Sequence, residues 1–274
     1  MSADTWSFRC TACGRCCNTA PELSVPELFY HQHRFLGRLG VRRVFRLARE
    51  GESDTRKSDI LLFTHGWHDE SGARCPALGA DGRCAIHDDR KPLVCSLAPL
   101  DALVPDALQP RVLTLRAREA AYFQADCIAP GSRPGLEPLV QKLRVVDPVA
   151  QAALARRRAE LALEKRHWGA GVFRLLEPEL FRKPEAMSKI PLDGFMSLSL
   201  APVLMVLAET SPRCRARCIE YLDAQLALAC RVGAEEPVRA HAALRAALLD
   251  QAGRASARET AAEAEAWLGL EVAA

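Results

Sequence analysis

The chain has 274 residues, of which 49% are hydrophobic and 26% charged, which suffices for one large domain or two modest ones. Its formal net charge is only +3, from 37 Lys and Arg against 34 Asp and Glu, and aromatic residues make up 6%. Because the chain has no dense basic stripe and few aromatic side chains on which bases could stack, we expect no nucleic-acid partner.

The N-terminal residues MSADTWSFRC contain neither a basic nor an apolar segment of a secretory signal, which predicts a cytoplasmic location. The longest apolar run, residues 195–208, is shorter than the ~20 residues that a membrane span needs. It also contains Pro202. We therefore expect a core helix there and no membrane segment.

Cysteine is the residue type that characterises this sequence. There are 11 cysteines, and eight of them fall within residues 10–127. An odd number in a long chain is not typical of a secreted disulfide scaffold. In a reducing compartment, clustered thiols favour metal ligation over disulfides.

The N-terminal cluster reads Cys10-Thr-Ala-Cys13-Gly14-Arg-Cys16-Cys17 and follows an alternating segment that is either a short strand or an apolar cover. A two-residue gap lets a turn bring two sulfurs to one ion. At Gly14 we expect a positive φ or a close approach to the metal. Adjacent side chains diverge, so Cys16 and Cys17 either serve two neighbouring ions or have different roles.

Between residues 20 and 74 the patterns alternate between helix and strand. Ser24 is typical of an N-cap, and the apolar residues that follow predict a helix ending at Gly40. A second short helix is predicted over 41–50, then a buried strand over 60–63 and a turn at 69–72.

The remaining N-terminal cysteines each stand beside turn residues. Residues 75–87 predict a small hairpin or meander that carries Cys75 and Cys84, and Pro92 predicts a short helix that presents Cys95. Residues 111–115 alternate as in a strand, and Cys127 precedes a Pro- and Gly-rich loop at 130–135.

The later part of the chain is mainly helical. Asp147-Pro148 and Ser211-Pro212 each combine an N-cap with a first-turn proline, predicting helices to about 168 and 231. Further helices are predicted over 235–251 and 256–268. The expected fold is α+β but mostly α: a cysteine-rich domain of short strands and helices at 1–135, followed by a helical domain at 136–274.

Three cysteines, Cys214, Cys218 and Cys230, fall on the helix that begins at Ser211. Cys214 and Cys218 share a helix face, so they either bind a metal together or pack in the core as small apolar residues. We favour the core for all three.

The ordered series Cys10-x-x-Cys13-Gly-x-Cys16-Cys17, Cys75-Pro-Ala-Leu and Gly82-Arg-Cys84-Ala-Ile-His87, continued by Pro92-x-x-Cys95, resembles the CxxCxxCC or YkgJ family of zinc- or iron-chelating domains. His87 stands where the family usually has Tyr, and Lys91 separates Arg90 from Pro92. The resemblance covers about residues 7–131 and implies metal or iron–sulfur binding and a bacterial origin. The family also contains flagellin lysine-N-methylases.

The predicted metal ligands are therefore eight thiols: Cys10, Cys13, Cys16, Cys17, Cys75, Cys84, Cys95 and Cys127. Their number favours iron, as one or two iron–sulfur clusters, over zinc, although four thiolates also complete a structural zinc site. His87 is a further candidate, and His65 and His68 are weaker ones.

Two main functions are consistent with these ligands. The first is a metal-binding protein whose helical half binds a protein partner, and the second is an iron–sulfur-dependent enzyme such as a protein lysine methylase. A purely structural zinc domain is a third. No Ser-His-Asp, Walker, H-E-x-x-H or dinucleotide motif occurs, so no catalytic residue is assigned.

Overall fold

The computed structural model describes residues 5–14, 21–45, 58–67, 74–191, 194–250 and 260–270. It is 52% helical and 16% strand, which confirms an α+β fold in which helix dominates. The described strands are β1 (Thr5–Phe8), β2 (Leu36–Phe45), β3 (Ser58–Trp67), β4 (Ile128–Pro130), β5 (Glu137–Gln141), β6 (Arg144–Val145) and β7 (Met196–Ser199).

The described helices are α1 (Val25–Tyr30), α2 (Leu93–Leu97), α3 (Gln109–Tyr122), α4 (Pro148–Glu164), α5 (Ala170–Leu176), α6 (Pro184–Ser188), α7 (Ala201–Ala208), α8 (Pro212–Val232), α9 (Glu235–Asp250) and α10 (Ala261–Trp267). Two π-helical turns, Lys165–Gly169 and Glu177–Phe181, flank α5. None of the helices in the described parts combines the length and apolarity needed to cross a membrane.

The residues fall into two compact units, and each is made of two separate chain segments. Unit one contains Met1–Pro21 and Ser71–Ala162, and unit two contains Glu22–Glu70 and Leu163–Ala274. The contacts thus group the chain differently from a single cut near 135. Grouping by contacts does not show which parts of the chain fold independently. The division into domains at 1–135 and 136–274 therefore stays a prediction.

Unit one is built on a four-stranded sheet in the order β4-β1-β5-β6. Strand β1 is central and antiparallel to both neighbours, with Phe8 opposite Ile128 on one side and Trp6 opposite Val140 on the other. Trp6 lies in a core with residues from α2, α3 and α4, including Leu97, Leu113 and Leu154. Of the two alternatives expected before the cysteine cluster, a short strand or an apolar cover, the structure shows the strand.

Unit two combines a three-stranded sheet, in the order β3-β2-β7, with the helices from α7 to α10. Gln225 of α8 is fully buried and serves the backbone that leads into β2. Its side-chain oxygen accepts from the Gly37 N–H at 2.8 Å, and its amide donates to the carbonyls of Gln32 and Phe35. One polar side chain thereby satisfies three backbone groups that burial would otherwise leave unpaired.

The helix predicted from Ser24 to Gly40 is correct only at its start. Ser24 and Glu27 form a reciprocal capping box, but α1 ends at Tyr30. Residues 36–45 form β2, because the apolar side chains that suggested a helical face are buried by β3 and α8 instead. Gly40 does not end a helix; it lies opposite Phe63, whose ring would stand 2.3 Å from a Cβ there.

Two further local predictions are wrong. The helix predicted over 41–50 is strand as far as Phe45, and the rest lies outside the described residues. The strand predicted over 111–115 is part of α3, where Pro110 occupies the first turn and only Leu113 of those five residues is buried. The strand predicted over 60–63 is confirmed within β3, whereas the turn at 69–72 is not described.

The helix starts predicted at Asp147 and Ser211 are confirmed, whereas the start predicted at residue 256 lies outside the described residues. The Asp147 carboxylate accepts from Ala150 N–H at 2.6 Å at the start of α4, and the Ser211 hydroxyl accepts from Cys214 N–H at 3.1 Å at the start of α8. The apolar run at 195–208 gives the core helix α7 but also the strand β7, which was not predicted.

Candidate metal centre

The N-terminal cysteine motif leaves β1 beside Cys127. The Arg9 N–H donates to the Cys127 carbonyl at 2.9 Å and so extends the β1–β4 pairing by one residue. Cys10 and Cys13 are exposed, and Cys127 is half-buried against the core of unit one. The sheet therefore brings the first and last of the predicted ligand segments together.

Gly14 brings the same motif against the segment that carries Cys84. Its φ is +68°, as predicted, and a Cβ on Gly14 would stand 1.9 Å from the Gly82 carbonyl oxygen and 2.4 Å from Cδ1 of Leu78. The close approach at Gly14 is therefore to the backbone of Gly82, whereas a close approach to a metal was the alternative expected from the sequence.

The predicted hairpin at 75–87 is present as a tight, turn-rich loop. Leu78 pairs with Cys84 in a single β-bridge, and the Gly79 N–H donates to the Arg83 carbonyl at 2.8 Å. The Asp81 carboxylate accepts from Arg83 N–H at 3.0 Å. Cys75 and Cys84 are both half-buried on this hairpin.

Cys95 lies on α2, which begins directly after Pro92. Leu97, at the end of that helix, is buried in the core of unit one and anchors it. The short helix predicted to present Cys95 is therefore confirmed, and Cys95 itself is half-buried.

His87 links the hairpin to the N-terminal motif through its side chain. Its Nε2 lies 3.7 Å from the Cys10 sulfur, and its Nδ1 lies 2.8 Å from a carboxylate oxygen of Asp88. Its backbone N–H donates to the Cys84 carbonyl at 3.3 Å. The sequence pointed to His87 only by its position inside the motif, and the role of Asp88 was not foreseen, although the two residues are adjacent.

An open depression of about 660 Å³ lies beside this group and exposes it to solvent. Cys10, His87 and Asp88 line one part of it, and Asp126 and Arg133 line another. Arg133 forms a two-point ion pair with Asp126, so the two charges largely neutralise each other.

The donors in this region are thiols, one imidazole and carboxylates, which fit zinc or iron. Within the described residues, no three His, Cys, Asp or Glu side chains are arranged tightly enough to hold an ion by themselves. Cys16 and Cys17 lie outside the described residues. That the eight cysteines share one or two sites therefore stays a prediction.

The other histidine candidates lie elsewhere or are not described. His65 is in β3 of unit two, where its Nε2 lies 3.1 Å from the Ser197 hydroxyl and its ring contacts Phe63 and Phe195. Burial, more than the nearby arginines, lowers its pKa to about 4. His68 is outside the described residues.

The cysteines of α8 divide by helix face. Cys214 and Cys218 are buried, which confirms the core assignment, and burial raises the pKa of both thiols. Cys230 is exposed, so its assignment to the core is wrong. The buried face passes through Leu222, Gln225 and Ala229, and Cys230 is turned away from it.

Unit one thus presents cysteines from a strand end, a hairpin, a short helix and the start of another strand, which is the construction of a small cysteine-rich metal-binding module. Residues 9–127 match the CxxCxxCC family model, described as a putative zinc- or iron-chelating domain. The match confirms the resemblance that the cysteine pattern indicated and supports metal binding by these residues. No curated protein and no solved structure matched the chain.

Proposed function

We propose that this protein holds iron, as one or two iron–sulfur clusters, through the thiols of Cys10, Cys13, Cys16, Cys17, Cys75, Cys84, Cys95 and Cys127. The observation that carries the proposal is the meeting of separate cysteine-bearing segments in unit one. Gly14 is in contact with Gly82, and the Arg9 N–H is bonded to the Cys127 carbonyl. Such close backbone contacts between loops would be stabilised further by a shared metal.

The number of thiols favours iron–sulfur clusters, because eight thiols exceed the four ligands of one structural zinc ion and are enough for two typical clusters. Zinc is the second candidate, and the pairing of Cys10 with His87 favours it. A structural zinc site contributes roughly 10–16 kcal/mol of binding free energy by analogy with zinc-finger peptides. That is ample for a loop-rich segment with short strands.

Anaerobic purification followed by an absorption spectrum and metal analysis distinguishes these candidates. A brown protein with visible charge-transfer bands and stoichiometric iron and sulfide is the expected result. A colourless protein with stoichiometric zinc would contradict the iron–sulfur clusters and support the zinc alternative. A protein that takes up neither metal after anaerobic reconstitution would contradict the proposal altogether.

The helical half is proposed to contact a protein partner. Phe173 stacks on Phe181, and both Phe173 and Leu175 are more than one-third exposed on α5. A photo-crosslinking residue at position 175 should capture one defined partner in cells, while the same residue at the exposed position 249 of α9 should not. Equal capture from both positions would contradict a specific surface on α5.

The enzyme alternative is favoured by the depression beside Cys10 and His87, whose volume is in the range of small-molecule sites. A protein lysine methylase would need to bind a methyl donor there. Calorimetric titration of the metal-loaded protein with S-adenosylmethionine tests this. Saturable binding that Asp126→Ala weakens would support the enzyme, and no heat of binding would exclude this cosubstrate.

A further inference from the structure

We propose that His87 is itself a metal ligand, through Nε2, on the same ion as Cys10, and that Asp88 is a positioning residue that holds the imidazole in the coordinating tautomer. The inference rests on the proposed function in one respect only, namely that unit one binds a transition metal. It adds a nitrogen donor to a site that was otherwise assigned to thiols alone.

The distance between the two donor atoms matches a shared tetrahedral ion. Zinc–sulfur bonds of about 2.3 Å and zinc–nitrogen bonds of about 2.0 Å, meeting at the tetrahedral angle, separate sulfur from nitrogen by about 3.5 Å. The Cys10 sulfur and His87 Nε2 are 3.7 Å apart. An ion can therefore enter between them with side-chain adjustments of a few tenths of an ångström.

The second nitrogen of His87 is engaged in the way that metal-bound histidines usually are. Nδ1 lies 2.8 Å from the Asp88 carboxylate, so the proton of a neutral imidazole is held on Nδ1 and the lone pair of Nε2 faces Cys10. A carboxylate behind a ligating histidine fixes the ring and strengthens the nitrogen donor. Asp88 is largely exposed, so its contribution to metal affinity should be at the lower end of the range for carboxylates that support a ligating histidine.

The main-chain framework keeps the two donors facing each other although they are 77 residues apart. His87 is tied to the hairpin by its N–H bond to the Cys84 carbonyl, and the Cys10 segment is tied to Cys127 through Arg9. The contact of Gly14 with Gly82 closes the distance between the two segments. The donors are thus preorganised, and the depression lets an ion reach them.

Metal binding at this site displaces one proton. In the metal-free protein the Cys10 thiol can donate its hydrogen to Nε2. When a divalent ion binds, the Cys10 S–H bond breaks, the proton leaves to solvent and both lone pairs pass to the ion. Cys10 and His87 fill two of four tetrahedral positions, and the others are assigned to thiols of the proposed set.

The test compares His87→Ala and Asp88→Asn with a matched control, His33→Ala, which removes an exposed histidine from unit two. Zinc affinity is measured on the full chain by competition with a chromophoric chelator, and Co²⁺ substitution reports the ligand set by absorption. We expect at least a tenfold loss of affinity and shifted Co²⁺ d–d bands for His87→Ala. We expect about a tenfold loss for Asp88→Asn and less than a twofold change for His33→Ala.

A second measurement does not depend on the folding of any variant. Long-range ¹H–¹⁵N NMR of the metal-loaded wild-type chain should show one histidine with Nε2 bound to metal and Nδ1 protonated. A metal-loaded protein without such a histidine, or with unchanged affinity in His87→Ala, would overturn the inference and leave the thiol site standing. A wild-type protein that takes up neither Zn²⁺ nor Co²⁺ would also overturn the inference, and one that in addition takes up no iron after anaerobic reconstitution would contradict the proposed function.

Discussion

Gly14 lies so close to the Gly82 carbonyl oxygen that a Cβ on Gly14 would stand 1.9 Å from it. This contact joins the CxxCxxCC motif to the hairpin of Cys75 and Cys84, which lies about seventy residues further along the chain. The proposed ligand set brings the cysteines at 10, 13, 16 and 17 together with Cys75 and Cys84 only if these two segments are held against each other. The glycine thus acts as a structural requirement of the proposed metal site.

Gly14→Ala should therefore lower both stability and metal affinity. The left-handed φ costs an alanine about 1–2 kcal/mol, and the clash with backbone adds about 1–3 kcal/mol. Gly131→Ala is the matched control, because Gly131 also has a positive φ but has open space where a Cβ would stand. Denaturant unfolding of the metal-free proteins should show a larger loss for Gly14→Ala than for Gly131→Ala, and equal losses would contradict the contact.

Removing single thiols should separate ligands from bystanders. Cys13→Ser and Cys84→Ser are expected to lose bound metal and to destabilise unit one, because each removes a proposed ligand. Cys230→Ser, on the exposed side of α8, should keep the wild-type metal content. Metal analysis of the three purified variants checks this, and equal metal loss in all three would refute the ligand assignment.

Thiol alkylation should give three classes of cysteine. Without metal, exposed Cys10, Cys13 and Cys230 should react quickly with iodoacetamide. With metal bound, Cys10 and Cys13 should be protected while Cys230 still reacts. Cys218 should react only after unfolding, because it is fully buried and its pKa is raised by desolvation. Mass spectrometry of labelled peptides gives the readout, and rapid labelling of Cys218 in the folded protein would be incompatible with this core.

The protein should lose stability when the pH is lowered from 7 to 5. His65 has a folded-state pKa of about 4, against about 6.5 when unfolded, because burial disfavours its charged form. Between these values the unfolded state binds the extra proton, so the stabilisation is complete above pH 6.5 and is lost as the pH falls towards 4. The loss at pH 5 is about 2 kcal/mol for this residue.

His65→Gln should remove a similar amount from the loss of unfolding free energy between pH 7 and pH 5. Urea unfolding of unit two at the two pH values measures this. His33→Gln is the control, because it leaves the buried imidazole of His65 in place. If the free energy of unfolding falls by the same amount between pH 7 and pH 5 in His65→Gln as in the wild type, His65 takes no part in the acid sensitivity.

Several local features follow directly from short stretches of sequence. Ser24 with Glu27, Asp147 with Pro148 and Ser211 with Pro212 each begin a helix where predicted, because capping depends on residues within one turn. The helix that carries Cys95 was predictable for the same reason, and the positive φ of Gly14 was one of the two alternatives expected there. The family was recognisable because the order and spacing of the cysteines are themselves the family pattern.

Only the tertiary structure decided features that depend on distant partners. Residues 36–45 are strand because β3 and β7 flank them, and the same apolar spacing fits a helix when those neighbours are unknown. The pairing of β1 with β4 brings Cys127 to the N-terminal motif, and the contact of Gly14 with Gly82 accompanies the approach of His87 to Cys10. In unit two, the packing of α8 leaves Cys230 on the exposed face of that helix. Spacing along the chain determined which residues could ligate a metal, whereas the folding of distant segments against each other decided which donors meet.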